Sequence, residues 1–136
     1  MKNSTVAEDT GVLLIRLILG VAFLFHGSQK LFGAFDGPGM TGFTDFLRML
    51  EVPMPAVSAW LAALAEFVGG LALISGAFLQ IMMVPVAFTM FVAAFHVHWN
   101  DGWVRMEYPL VLGCTAIGLA LIGPGRFAWR PRVAKS

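Results

Sequence analysis

Four long, nearly uncharged apolar segments dominate this chain and restrict its fold more than any other feature. They cover about residues 11–33, 55–77, 78–99 and 104–123. Each is long enough to cross a bilayer as a helix, since a spanning helix needs roughly 20 residues. Backbone groups find no hydrogen-bond partners in lipid, so a helix is the expected form of each segment. The sequence therefore predicts an all-α, integral membrane four-helix bundle.

Composition also favours a membrane protein. Of the 136 residues, 58% are hydrophobic and 12% are charged, and the mean hydropathy is +0.79. A water-soluble domain of this length needs more charged surface, so we expect the excess apolar surface to face the lipid bilayer. The formal net charge of +1 does not favour binding to nucleic acid. We interpret residues 1–136 as one domain and the first apolar segment as a retained span rather than a signal peptide.

The connections between the spans differ in length. The second and third spans meet at Ser75 and Gly76, which predicts a tight hairpin. The first linker is long, and we expect a short amphipathic surface helix over about residues 41–51, with Thr41 as its N-cap. Its apolar residues recur at helical spacing and are expected to face the bundle or lipid: Phe43, Phe46, Leu47 and Leu50.

Charges in the flanking segments predict the orientation of the chain. The tail contains Arg126, Arg130, Arg132 and Lys135 without an acidic residue, whereas the first linker is mainly acidic. Because Lys and Arg concentrate on the cytoplasmic side of membrane proteins, both termini are expected in the cytoplasm and the first linker outside.

Ionisable side chains in and beside the spans are the candidate functional residues, and they lie toward the outer ends of the helices. The six candidates are His26, Lys30, Glu66, His96, His98 and Glu107. His26 and Glu66 lie roughly 10–15 Å from those ends at 1.5 Å per residue. A charge at such depth costs about 3 kcal/mol and usually faces the bundle interior. We therefore predict that Glu66 faces inward, with Lys30 or His26 as its nearest partner.

Each candidate also has a structural interpretation. Glu66 could contact a substrate, a proton or a quinone, or it could form a structural pair with a neighbouring helix. Lys30 and Arg16 lie where long basic side chains snorkel toward headgroups, Arg16 on the cytoplasmic side. Glu107 lies near the surface, where water can solvate it.

The histidines do not predict a metal or haem site. His96 and His98 beside Trp99 suit an interfacial belt, and their two-residue spacing places them on different helical faces. Haem between His26 and His96 is disfavoured because their estimated depths differ by about two helical turns.

Small residues predict where the helices touch. The second span has such a stripe at Ala59, Ala62, Ala63, Glu66 and Gly70, and the fourth at Glu107, Val111, Cys114 and Gly118. Cys114 is therefore expected to pack against a neighbouring helix. As the single cysteine, it has no partner for an intrachain disulfide or a CxxC motif.

Two glycine-containing motifs resemble those of the DoxX family. The run RLILGVAFLFHGSQKLFG (residues 16–33) resembles the family's first-helix signature, and AEFVGGLALISG (residues 65–76) resembles its second. The segment around Glu107, closing with Gly123-Pro-Gly125, resembles the last helix, so the resemblance spans about residues 12–127. It implies a four-helix protein of the bacterial inner membrane. Some members are linked to an oxidoreductase complex with superoxide dismutase and a sulfurtransferase, and a related branch includes a subunit of an archaeal thiosulfate:quinone oxidoreductase.

These observations favour a membrane component of a redox-linked system. Lys30 or His26 would donate a hydrogen bond to a carbonyl of a quinone cofactor, Glu66 would exchange its proton, and a partner protein would supply electrons. The alternative is a non-catalytic subunit or scaffold that docks a partner protein or a second copy of the chain. A carrier for a small solute is a weaker alternative. Because the cysteines of a thiol-based mechanism are missing, sulfur chemistry is not expected.

Overall fold

The computed structural model of the protein describes residues 4–129, which are almost entirely helical. The α-helices are α1 (Val6–Phe32), α2 (Gly39–Met49), α3 (Pro55–Ser75), α4 (Leu79–Val92) and α5 (Trp103–Ile122). Helix α4 continues into a π-helical segment, Ala93–Val97, which is followed by a 3₁₀ turn, Trp99–Asp101.

Four helical stretches are long and apolar enough to cross a membrane. They are α1, α3, the continuous stretch Leu79–Val97 and α5. Their order alternates the chain between two ends of the bundle, which we call the Arg16 end and the Lys30 end. The prediction of an all-α bundle with four spans is confirmed.

Helix α1 begins five residues earlier than the predicted span, because a capping box precedes it. The Thr5 hydroxyl accepts a hydrogen bond from the Glu8 backbone N–H at 3.2 Å, and the Glu8 carboxylate accepts one from the Thr5 N–H at 2.7 Å. These reciprocal bonds satisfy two amides that a helix start leaves without partners.

Glycines allow α1 and α3 to approach each other closely. A Cβ atom at Gly27 would lie 2.7 Å from the backbone nitrogen of Phe67, and one at Gly70 would lie 2.8 Å from that of Leu24. The α3 stripe predicted from small residues is buried or half-buried. Helix α3 also packs against α4, and α4 packs extensively against α5, whereas α1 and α5 share no extended backbone packing.

The prediction of which face of α5 packs against the other helices is wrong. Glu107, Val111 and Cys114 are exposed, and a Cβ atom at Gly118 would meet nothing within 4 Å. The buried residues of the helix are instead Pro109, Leu112, Gly113, Ala116 and Leu119. Leu112, Ala116 and Leu119 belong to the apolar core that all four spanning helices share. Lipid is as apolar as these side chains, so close packing sets the rotation of α5 about its axis: the face with Gly113 and Ala116 fits against α4.

The surface helix in the first linker is present as α2, but Thr41 does not cap it. The helix begins at Gly39, its N-cap residue is Pro38, and no side chain caps it. Phe43 and Leu47 are buried against α3, and Phe46 faces outward.

Arg16 does not snorkel, contrary to the sequence-based expectation. Its side chain is fully buried at 0% exposure. Its Nε donates to the carbonyl oxygen of Leu73 at 2.9 Å, and its Nη2 donates to that of Ile74 at 3.1 Å. Its Nη1 donates to the carbonyl oxygens of Pro124 at 2.7 Å and Phe127 at 3.3 Å. The last carbonyls of α3 have no intrahelical partners, so they accept hydrogen bonds from the guanidinium. Because its donors are satisfied inside the bundle, Arg16 does not extend to the headgroups.

The segment that follows α5 covers the Arg16 end of the bundle. The Arg126 Nε donates to the buried carboxylate of Asp9 at 2.6 Å, and the Trp129 N–H donates to the carbonyl oxygen of Ser75 at 2.8 Å. The other basic residues used to predict the orientation, Arg130, Arg132 and Lys135, lie outside the described residues.

Candidate functional site

A partly buried ion pair joins the last turn of α1 to the middle of α3. The Lys30 Nζ lies 2.6 and 2.5 Å from the two carboxylate oxygens of Glu66, whose side chain faces the interior and is 3% accessible. The Phe43 ring of α2 lies over the same amine, with its centroid 5.2 Å from Nζ. The predicted inward orientation of Glu66 and its pairing with Lys30 are therefore present.

A second polar contact links α1 to α5. The Nε2 of His26 lies 3.3 Å from the hydroxyl of Tyr108, and the two rings meet edge to face. Spacing on α1 places His26 one turn before Lys30, so both side chains project from one helix face. His26 is therefore near the ion pair, but its hydrogen-bond partner is Tyr108 rather than Glu66.

A cavity of about 170 Å³ lies beside these two contacts, between α1, α3, the end of α4 and α5. Its polar lining comprises His26, Lys30, Glu66, His98, Arg105 and Tyr108. Its apolar lining includes Phe23, Met90 and Leu112. Four of the six candidate residues therefore share one cavity with two polar residues that the sequence analysis did not select.

The π-helical segment shapes the Lys30 end of this cavity. Ala93, its first residue, lines the cavity together with His98, which follows the segment. The Nδ1 of His98 lies 2.8 Å from the carboxylate of Asp101, and this contact orients the ring. Short π-helical insertions in α-helices are frequent at functional sites, because they change which side chains face a given direction.

Two candidate residues do not line the cavity. The Nε2 of His96 lies 3.0 Å from the carbonyl oxygen of Leu50, so this histidine ties the π-helical segment to the linker after α2. Glu107 is exposed on the outer face of α5.

Arg105 and Tyr108 were missed because the α5 face was chosen incorrectly. Residues 105, 108, 109 and 112 follow helical spacing, so they share the face that lines the cavity. Glu107 was selected as a candidate because it is charged, but its side chain projects about 100° away from that of Tyr108 around the helix axis. Within residues 4–129, Arg105 has no carboxylate within 4 Å, so its guanidinium is available to a ligand.

The polar side chains around the cavity are mainly hydrogen-bond donors. Among the residues that the structure describes, no three His, Cys, Asp or Glu side chains are grouped so as to hold a metal ion. His26 and His96 contact different parts of the chain, Tyr108 on α5 and Leu50 after α2. The polar lining is instead rich in hydrogen-bond donors around one neutralised ion pair, which suits an uncharged or anionic group that accepts hydrogen bonds.

Four spanning helices with a polar cavity between them define a multi-pass helical membrane protein with a small internal site. The chain belongs to the DoxX family, whose model matches residues 11–99. It is also 30% identical over 128 residues to a Bacillus subtilis (strain 168) protein named "Putative oxidoreductase CatD", which covers 93% of this chain and 90% of that protein. No solved structure gives a significant match.

Proposed function

We propose that this protein is the membrane component of a redox-linked system and that its cavity holds a quinone headgroup. The observation that carries the proposal is the cavity of about 170 Å³, in which donors of several chemical types surround the Lys30–Glu66 pair. A quinone presents two carbonyl oxygens, both of which accept hydrogen bonds. Tyr108 and Arg105 can donate to one carbonyl, and Lys30 can donate to the other.

Protons and electrons follow separate routes in this proposal. Reduction of a quinone to a quinol consumes two electrons and two protons. The Lys30 ammonium, held by the Glu66 carboxylate, can pass one proton to the quinone oxygen that it contacts, and the Tyr108 hydroxyl can pass the other to the second oxygen. Water that reaches the Lys30 end of the cavity returns both protons to these residues. A partner redox protein supplies the electrons. The name of the relative from Bacillus subtilis supports an oxidoreductase setting for the family fold.

The residues at the Lys30 end are placed on the outer side of a bacterial inner membrane in this proposal, with both termini in the cytoplasm. The basic tail and the acidic first linker support this orientation. Pairing with Asp9 neutralises Arg126, so the remaining orientation signal comes from the residues that follow it.

The test is an analysis of what copurifies with the full-length protein in mild detergent. We expect mass spectrometry to detect a quinone with the wild type and with Arg48→Gln, whose exposed ion pair with Asp45 lies on α2 away from the cavity. Tyr108→Phe and Arg105→Gln should each reduce the amount retained, because each removes a donor. Equal retention by all four proteins would contradict the proposed site.

A scaffold remains the second candidate function, and one observation favours it. The outward face of α5 contains Val111, Cys114 and Gly118, and small residues allow another helix to approach closely within a membrane. The same detergent preparation discriminates the two functions. A stoichiometric protein without any quinone would favour the scaffold.

A further inference from the structure

Helix α2 covers one side of the Lys30–Glu66 pair at the Lys30 end of the cavity. The ring of Phe43 lies against Lys30, and the buried side chains of Phe43 and Leu47 hold α2 on the bundle. The contact between His96 and the carbonyl oxygen of Leu50 fastens the C-terminal end of the same helix to the π-helical segment. The Lys30–Glu66 pair is thereby covered on the side that α2 occupies.

The opposite end is closed more completely. Arg16 holds the end of α3 and the segment after α5 through four hydrogen bonds to backbone carbonyls. Between this network and the cavity, the interior is filled by fully buried apolar side chains, among them Leu73, Leu79, Met83 and Leu119. Among residues 4–129, these apolar side chains separate the cavity from the Arg16 end.

The side between α1 and α5 is different, because these helices share no extended backbone packing although both line the cavity. His26 and Tyr108 form the one side-chain hydrogen bond between α1 and α5 among the described residues. Tyr108 is 52% exposed, so the cavity reaches the lateral surface of the bundle beside it. That surface faces lipid in a protein whose helices span the membrane.

Polarity also changes along the cavity. Arg105 and His98 lie at the Lys30 end, and Phe23, Met90 and Leu112 lie deeper in the bundle. Arg105, Tyr108 and Leu112 follow one another on α5 over about two turns, or roughly 10 Å. A ligand that matches this lining has a polar head beside Arg105 and an apolar part that points toward the middle of the membrane.

We propose that the ligand is a membrane-dissolved amphiphile whose tail lies in the gap between α1 and α5. This inference rests on the proposed function and specifies its substrate class: a quinone with an isoprenoid tail, rather than a water-soluble quinone. The headgroup enters sideways from the outer leaflet past the His26–Tyr108 contact, and the tail remains against lipid and the apolar lining.

The first experiment narrows the gap with one large side chain. Ala22 is half-buried and lies one turn before His26 on the same face of α1, so Ala22→Trp places an indole in the gap. Val21→Trp is the matched control, because Val21 is 59% exposed on a neighbouring face. Both variants and the wild type are reconstituted in lipid nanodiscs, and their melting temperatures are compared first.

Binding is then measured with two tritiated benzoquinones, one with an isoprenoid tail and one with a methyl group in its place. We expect Ala22→Trp to weaken binding of the tailed quinone by at least about tenfold, well above the scatter of a dissociation constant. Ala22→Trp should leave binding of the tail-less quinone unchanged. Val21→Trp should change the binding of neither quinone. Unchanged binding of both quinones, or an equal loss for both, would overturn the lateral tail site. If the wild type binds neither, the proposed function itself fails.

A second measurement needs no variant and therefore remains decisive if Ala22→Trp does not fold. A quinone with a photoreactive diazirine in its tail is crosslinked to the wild type in nanodiscs, and the labelled peptides are identified. Labels should lie on α1 and α5 beside the gap, at residues such as Ala22 and Thr115. Labels confined to exposed residues of α3 and α4, such as Leu61 and Phe88, would refute the proposed position of the tail.

Discussion

Lys30 and Glu66 form an ion pair in which one amine contacts both oxygens of one carboxylate, at 2.6 and 2.5 Å. Their exposures are unequal, since 22% of the Lys30 side chain is accessible and 3% of that of Glu66. The ammonium group of Lys30, in the last turn of α1, thus contacts the carboxylate of Glu66 in the middle of α3. It neutralises that carboxylate at a depth where an uncompensated charge is costly.

Glu66→Gln should destabilise the protein, because Lys30 then keeps its charge without its counter-charge. Removal of one partner from a buried pair typically costs about 3 kcal/mol. The melting temperature in mild detergent measures this loss. The double variant Lys30→Met with Glu66→Gln should recover most of the stability, since neither charge remains.

The same double variant separates the structural role of the pair from its functional role. If the pair only stabilises the bundle, the double variant should retain the copurifying ligand together with its stability. In our proposal it regains stability without regaining the ligand. A double variant as unstable as Glu66→Gln alone would contradict the coupling between the two residues.

Arg16→Met should destabilise the Arg16 end strongly, because four backbone carbonyls lose their donor in a buried environment. We expect a loss of at least about 3 kcal/mol, the scale of charge-assisted hydrogen bonds that are removed together. Arg48→Met is the control, since Arg48 forms an exposed ion pair with Asp45, and such pairs contribute at most about 1 kcal/mol. Limited proteolysis should also cleave the segment after α5 faster in Arg16→Met. Equal melting temperatures of the two variants would contradict this role of Arg16.

Gly27→Ala should separate α1 from α3. The new Cβ atom would lie 2.7 Å from the backbone nitrogen of Phe67, which cannot move without its helix, so we expect a loss of about 2 kcal/mol from overpacking. Gly118→Ala introduces the same atom where nothing lies within 4 Å, and it should change stability by no more than about 1 kcal/mol. Thermal unfolding of both variants in one detergent provides the comparison. The prediction fails if Gly27→Ala is the more stable of the two.

Cysteine labelling in intact cells tests the orientation. The background is Cys114→Ala, which removes an exposed thiol and disturbs no core packing. In that background, Asp36→Cys should react with a membrane-impermeant maleimide, and Lys135→Cys should react only after permeabilisation. The reverse pattern would mean that the chain is inverted and that the basic tail does not set its orientation.

The spans, the hairpin at Ser75 and the inward orientation of Glu66 could be predicted from the sequence, because each depends on local information. A run of apolar residues meets the requirement for a spanning helix wherever its neighbours lie. A lone carboxylate in such a run faces inward for the same energetic reason in any bundle. Lys30 and Glu66 were matched because helix length alone places them at similar depth.

The rotation of α5 and the partners of Arg16 depended on the tertiary structure. Arg16 donates hydrogen bonds to carbonyls that lie 57 to 111 residues away in the sequence. Every residue has a backbone carbonyl, so the sequence does not indicate which of them Arg16 contacts. Arg105 and Tyr108 joined the cavity because the apolar core turned Leu112, Ala116 and Leu119 inward, which carried Glu107 outward. The sequence by itself therefore determined which segments cross the membrane and at what depth their charges lie. Packing between distant helices decided which of those charges meet, because contact depends on the rotation of each helix about its axis and not on depth alone.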